Sequence, residues 1–429
     1  MSCPWTPHRE CAPDVLWNAY RPGPDAPSNA GTVFQAVAGH LHKPGSDYNQ
    51  LSMDRRSFLA ATGAAGALLA APQSDDESGF TPLFNSRSLD GWNVQDGTER
   101  AFYVDSGHIV VHESAGYPTW LRSTRQYENF DFRGEFYVKG WCDSGIYIHA
   151  PEHGRPMWCG QEIHIFHQVD QRPTLESMGA IFPIVAPRKV NVKNNGEWNT
   201  FRILMDWPRL QVWTNGEMVQ DVDIETVPDL RHRLRSGHLG LQSLSYPIRF
   251  RNLRLRELPS KVAWTPLYET SADFGKWHVS DGKPNFQALG GVLYSDGNGH
   301  FATQEKYRDF ELQMYVRHEL HHNGGVMFRT AGTGSRGRHY EIQLHDVEAA
   351  HYPTGSLYSV KRASYPRIVA REWWPFQLRV KDATCLVRIN GETVLEYDKL
   401  DNLDEGPIEL QAHDPGRWTE YKHIFLRRI

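Results

Sequence analysis

"QEIHIFH" (Gln161–His167) and "YEIQLHD" (Tyr340–Asp346) carry the same alternation of polar and apolar residues around an early Glu. Alternate side chains of a strand point to opposite faces. Glu162, His164 and Phe166 therefore share one face, and Glu341, Gln343 and His345 the equivalent face. A polar strand face is by default a solvated one. A Glu recurring at the same place in two stretches makes this face a candidate ligand surface.

The likeness extends outward from these strands. "TPLFNSRSLDGWNV" at Thr81 is matched by "TPLYETSADFGKWHV" at Thr265, and "YENFDFRGEFYVK" (Tyr127–Lys139) by "YRDFELQMYVR" (Tyr307–Arg317). "SGIYIHA" (Ser144–Ala150) pairs with "GGVMFRT" (Gly324–Thr330), and "GHLGLQ" (Gly237–Gln242) with "GPIELQ" (Gly406–Gln411). The offset falls from 184 (265 − 81) to 169 (406 − 237) along the chain. That drift is expected when the matching blocks are strands and the gaps are loops. Residues 80–258 and 262–429 thus read as two copies of one unit, joined at "LPSK".

Within the blocks Phe310, Leu312, Met314 and Val316 alternate with polar residues. "TNGE" and "INGE" are Asn-Gly hairpin signals, and long amphipathic helical patterns are scarce. The expected fold is all-β: two tandem jelly-roll sandwiches.

The chain has 429 residues, 40% of them hydrophobic, and a formal charge of −5 with no long basic run. That balance argues against nucleic acid as a partner. The 14 Trp residues suit sheets and also make flat platforms for sugar rings.

"MDRRSFLAATGAAGALLAAPQ" (Met53–Gln73) couples the Arg55–Arg56 pair to a short Ala/Gly-rich apolar run. The run is too short to span a membrane. Residues 53–72 read as a twin-arginine signal, which implies export to the periplasm or beyond. On this reading Met53 is the true start, 1–52 is a Pro/Gly-rich upstream extension and 73–79 is an acidic linker. Five cysteines, three of them after the signal, make no disulfide framework, and spacing alone does not pair Cys142 with Cys159.

"HELHH" (His318–His322) matches the zinc-protease pattern, which needs both His on one helical turn. It follows an alternating strand and runs into "NGG", so a His-rich turn is the better reading. No nucleophile elbow, P-loop or dinucleotide-binding motif occurs.

The candidate site gathers polar groups from several strands. Glu162 and Glu341 are joined by His149 and Arg329 from the preceding strand of each copy. Gln242, Gln411 and His413 come from near the copy ends. Such groups on a concave, Trp-lined sheet suit a sugar ring.

At these residues the chain resembles the 3-keto-disaccharide hydrolase domain family. The resemblance rests on "LFNSRSLDGW", "SGIYIHA", "QEIHI", "GEWNTFRI" and "GHLGLQSLSYPIRFRNLRLREL", and on "GGVMFR", "YEIQLHD", "TGSLYSV" and "IELQAHD" in the second copy. It implies secreted proteins with a concanavalin-like jelly roll that act on glycosides oxidised at C3. The C3 ketone acidifies the C2 hydrogen, so a base, an acid and an enolate stabiliser are required. Glu341, with His413 or His345, would fill the acid/base roles, and Glu162 and His164 would do so in the first copy. Arg329, Gln343, Gln411, His149 and Gln242 would bind substrate. No cofactor is demanded, and a divalent cation at His345 and Asp346 is the alternative for the enolate role. The family's His after "LQ" is Ser243-Leu244 in the first copy, whereas the second keeps Gln411 and His413. The second copy is therefore expected to hold the more complete polar site. The competing expectation is a carbohydrate-binding protein of the same fold, without turnover.

Overall fold

In the computed structural model, residues 77–113, 115, 119–166, 172–244, 246–331 and 338–429 are described. The twin-arginine segment and the extension before it lie outside the described residues. Among the described residues no helix is long and apolar enough to cross a membrane. The compact unit Asp75–Ile429 is all-β and built of two sandwiches.

The first sandwich stacks an eight-stranded sheet on a six-stranded one, both antiparallel. Period-2 alternation drives the stacking. Phe130, Phe132 and Phe136 from strand Asn129–Val138, with Phe201, Ile203 and Met205 from Trp198–Asp206, face inward from the larger sheet. Leu121, Ile146, Ile148, Ile163, Ile165, Leu239 and Leu241 meet them from the smaller one. Each fully buried side chain of this size contributes roughly 1.5–3 kcal/mol of transfer free energy, so the core fixes the register.

The second sandwich repeats this order with one change. Strands Trp277–Leu289 and Val292–Thr303 form one long hairpin, where the first copy has two short strand pairs. Strand Val292–Thr303 pairs with Thr419–Arg428 through Val292–Ser295 and with Glu409–Ala412 through Gly299–Ala302. It thereby runs from one layer into the other, and the two layers count as a single 11-stranded sheet. Gly299, with φ +146 and Asp281 O close against it, sits where the strand crosses.

Both Asn-Gly hairpins form as expected, with Asn215 and Gly216, and Asn390 and Gly391, at positive φ. "HELHH" is a turn. His318 ends strand Phe310–His318, His321 has φ 57, and a new strand begins at Asn323. Cys142, Cys159 and Cys385 are separate buried free thiols.

The segment after strand Asp143–Ala150 docks on the second sandwich. Glu152 N donates to Tyr315 Oη at 2.7 Å, and the Glu152 carboxylate meets Lys422 at 3.1 Å and His423 at 3.3 Å. Arg155 pairs with Glu392 at 2.5 Å.

Candidate functional site

The alternation of the opening strands holds. Ile163 and Ile165, and Ile342 and Leu344, enter the two cores, which turns Glu162 and His164, and Glu341 and Gln343, onto the opposite faces. In each copy the Glu folds over a glycine of the neighbouring strand, Gly145 or Gly325. A side chain on those glycines would collide with the carboxyl.

In the first copy the Glu is closed in. Glu162 is 1% exposed. Its Oε1 lies 3.1 Å from His164 Nδ1, and His164 Nε2 lies 3.6 Å from Asp143 Oδ1. Gln242 Nε2 donates to Tyr147 Oη at 2.7 Å and to Glu162 Oε2 at 3.4 Å. Phe182 stacks on the His164 ring at 4.7 Å. Burial disfavours the His164 cation, but Glu162 and Asp143 more than offset it and raise its pKa. Burial, opposed by His164 and reinforced by Glu162, pushes Asp143 up to about 6. This is a carboxylate–imidazole–carboxylate chain whose charges compensate one another.

The second copy replaces that chain with neutral amides. Asn323 stands where the first copy has Asp143, and Gln343 where it has His164. Gln343 Nε2 donates to Asn323 Oδ1 at 2.6 Å. Among the described residues no hydrogen-bond or ion-pair partner reaches the Glu341 carboxyl. At 7% exposure, burial pushes it up to about 7, and His300 and His413 only partly oppose this. A carboxyl poised near neutrality suits both taking and returning a proton.

Around Glu341 the structure brings together two groups chosen from sequence and two that were not. Gln411 and the exposed His413 follow from the end of strand Glu409–Ala412, and His413 Nδ1 meets Asp414 at 3.1 Å. His300 and Glu409 are new. His300 Nε2 lies 3.4 Å from Gln411 Nε2, and its Nδ1 lies 3.4 Å from Glu409 Oε2. Burial works against the Glu409 charge, but the His300 imidazole beside it and the hydrogen bond from Ser280 outweigh it and hold the carboxyl below its ordinary range.

Arg329 and His149 are not on this face. Both lie 0% exposed, at φ 52 and φ 51. A left-handed residue breaks the period-2 alternation and turns the side chain off the sheet. Arg329 donates to Arg308 O, Asn402 O and Asp309 Oδ1 at 3.0–3.2 Å. His149 Nε2 lies 2.7 Å from Glu128 O, and burial lowers its pKa to about 4. Each fastens a loop at the sandwich edge.

His345 ends strand Arg338–His345, and Asp346 follows it. Among the described residues no three His, Cys, Asp or Glu side chains are placed to hold a metal ion. Asp346 Oδ2 accepts the backbone N–H of His321 at 3.0 Å and so braces the turn.

Stacked antiparallel β-sheets with a buried carboxyl on the face away from the core define the class: a jelly-roll sandwich protein. The 3-keto-alpha-glucoside-1,2-lyase-like domain model matches twice, over residues 79–256 and 263–427. The chain belongs to that family. Comparison with curated proteins returned no match. Solved structures that resemble it include a glycosyl hydrolase-like protein from Parabacteroides distasonis (21% identity, 42% of this chain and 94% of the other, TM-score 0.37). The carbohydrate-binding module CBM66 from Bacillus subtilis also matches (13% identity, 35% and 95%, TM-score 0.28). So does a β-glucanase from Bacillus licheniformis (10% identity, 40% and 100%, TM-score 0.30).

Proposed function

We propose that the chain is an exported enzyme that cleaves glycosides whose sugar carries a C3 ketone, with the second sandwich as the working copy. One observation carries the choice: Glu341 is a buried carboxyl on a polar sheet face with no hydrogen-bond or ion-pair partner among the described residues, and burial pushes it up to about 7. The C3 ketone acidifies the C2 hydrogen, so a base of this strength suffices to remove it. Gln343, Gln411 and Asn323 supply hydrogen bonds for the sugar hydroxyls. The closed Glu162 cluster supports a shaping role for the first copy.

The test is incubation with a 3-keto-glucoside and with the same glucoside unoxidised. Turnover of the keto sugar alone is expected, and its loss in Glu341→Gln assigns the base. Binding of both sugars without turnover of either would instead make the chain a carbohydrate-binding protein. Export is tested by fractionation of cells expressing the full chain, where Arg55→Lys with Arg56→Lys should retain it in the cytoplasm.

A further inference from the structure

His300 and Glu409 distinguish the second copy from the first at one place. His300 pairs in register with Gln411, as Trp120 pairs with Gln242. Glu409 pairs with Ala302, as Gly240 pairs with Arg122. A β-carbon on Gly240 would come within 2.6 Å of the Trp120 ring, so in the first copy the indole fills the space beside that glycine. In the second copy a smaller imidazole and a Glu side chain share the equivalent space. The two exchanges are one change of volume and charge, and they bring a carboxylate and an imidazole into contact.

The pair is built rather than incidental. His300 is 3% and Glu409 1% exposed, and Ser280 Oγ donates to Glu409 Oε2 at 2.8 Å from the long hairpin. Strand pairing sets Gly325 beside Gln411 and Gln411 beside His300. Glu341 is carried one strand beyond Gly325, so three strand spacings, ~14 Å, separate the backbones that carry the two groups, and the Glu341 side chain folds back over Gly325 toward His300. A pyranose ring fits between side chains reaching inward across such a span.

We propose that His300 is the proton donor to the leaving oxygen, opposite Glu341, and that Glu409 is its positioning residue. This rests on the 3-keto-glycoside reading above. The Glu341 carboxylate takes the C2 proton, and the C–H electron pair becomes the C2–C3 double bond of an enolate. Collapse of the enolate forms C1=C2 and breaks the C1–O bond. The departing oxygen leaves as an alcohol with the imidazolium proton of His300. Water then adds to C1 of the enone and gives a proton to His300, while Glu341 returns its proton to C2. Both groups end as they began. Glu409 Oε2, 3.4 Å from Nδ1, favours a proton on that nitrogen and stabilises the imidazolium.

The experiment compares methyl and 4-nitrophenyl 3-keto-glucosides. Nitrophenolate leaves without a proton, so His300→Gln should slow the methyl glycoside roughly tenfold or more and the nitrophenyl glycoside little. Glu341→Gln should slow both. Glu409→Gln should follow His300→Gln in weaker form, with recovery in Glu409→Asp. In ¹⁵N spectra the His300 proton should sit on Nδ1 in the neutral wild-type ring and lose that preference in Glu409→Gln. Equal slowing of both substrates by His300→Gln in a folded variant, or no slowing, overturns the proposal. A wild-type chain inert to both 3-keto sugars overturns the reading beneath it as well.

Discussion

Gly325 is bare because Glu341 occupies the space where its side chain would be. The same relationship joins Gly145 to Glu162, where an added β-carbon would lie 2.6 Å from Glu162 Oε1. Gly325→Ala should push the flexible Glu341 side chain aside while keeping the strand. We expect turnover to fall at least tenfold while stability changes by less than about 1 kcal/mol. Kinetics and urea melts on the same sample check this, and an unchanged rate would detach Glu341 from the chemistry.

Activity on the 4-nitrophenyl 3-keto-glucoside, whose leaving group needs no proton, should rise with pH through about 7, because only the charged Glu341 removes a proton. A profile of kcat/KM against pH with a limb near pH 4 instead would show that another carboxyl is the base.

Stability should run the other way. The Glu341 pKa is raised by folding from an ordinary 4.5 to about 7. Its favourable contribution is complete below about pH 4.5 and is lost as pH rises through about 7. Above that, the buried charge costs up to about 3 kcal/mol. Glu341→Gln should therefore stabilise the protein at pH 8 and leave it unchanged at pH 4. Denaturant midpoints at the two pH values decide the point.

Arg329→Ala should cost roughly 3 kcal/mol, since it strips a buried partner from Asp309 and two loop carbonyls. Any variant that remains folded should keep its KM for the sugar. A raised KM with unchanged melting would return Arg329 to the substrate.

His164→Ala leaves the buried Glu162 beside the partly buried Asp143 with no cation between them and should destabilise the first sandwich by about 3 kcal/mol at pH 8. The loss should shrink as the pH falls, because without the His164 cation Asp143 takes up a proton above the pH of about 6 at which it does so beside the imidazole. Thermal melts across that range measure it.

The sandwiches and the Glu strands were legible because burial on one face enforces a period of two, and Asn-Gly turns carry their own conformational signature. His300 and Glu409 were not. They meet only through strand pairing more than 100 residues apart in sequence, and "SDGNGH" reads as a loop before it reads as a strand. His149 and Arg329 were misplaced for a local reason. A single left-handed residue reverses the face that alternation assigns, and nothing in "GIYIHA" or "GVMFRT" announces it.

The long hairpin Trp277–Thr303 has a consequence for how the second sandwich comes apart. One strand is hydrogen-bonded in both layers, so neither layer can open while the other stays shut. Native-state hydrogen exchange should find the amides of Glu409–Ala412 and Thr419–Arg428 released in a single opening event. In the first sandwich, short separate pairs do the same job, and its two layers are free to exchange at different rates.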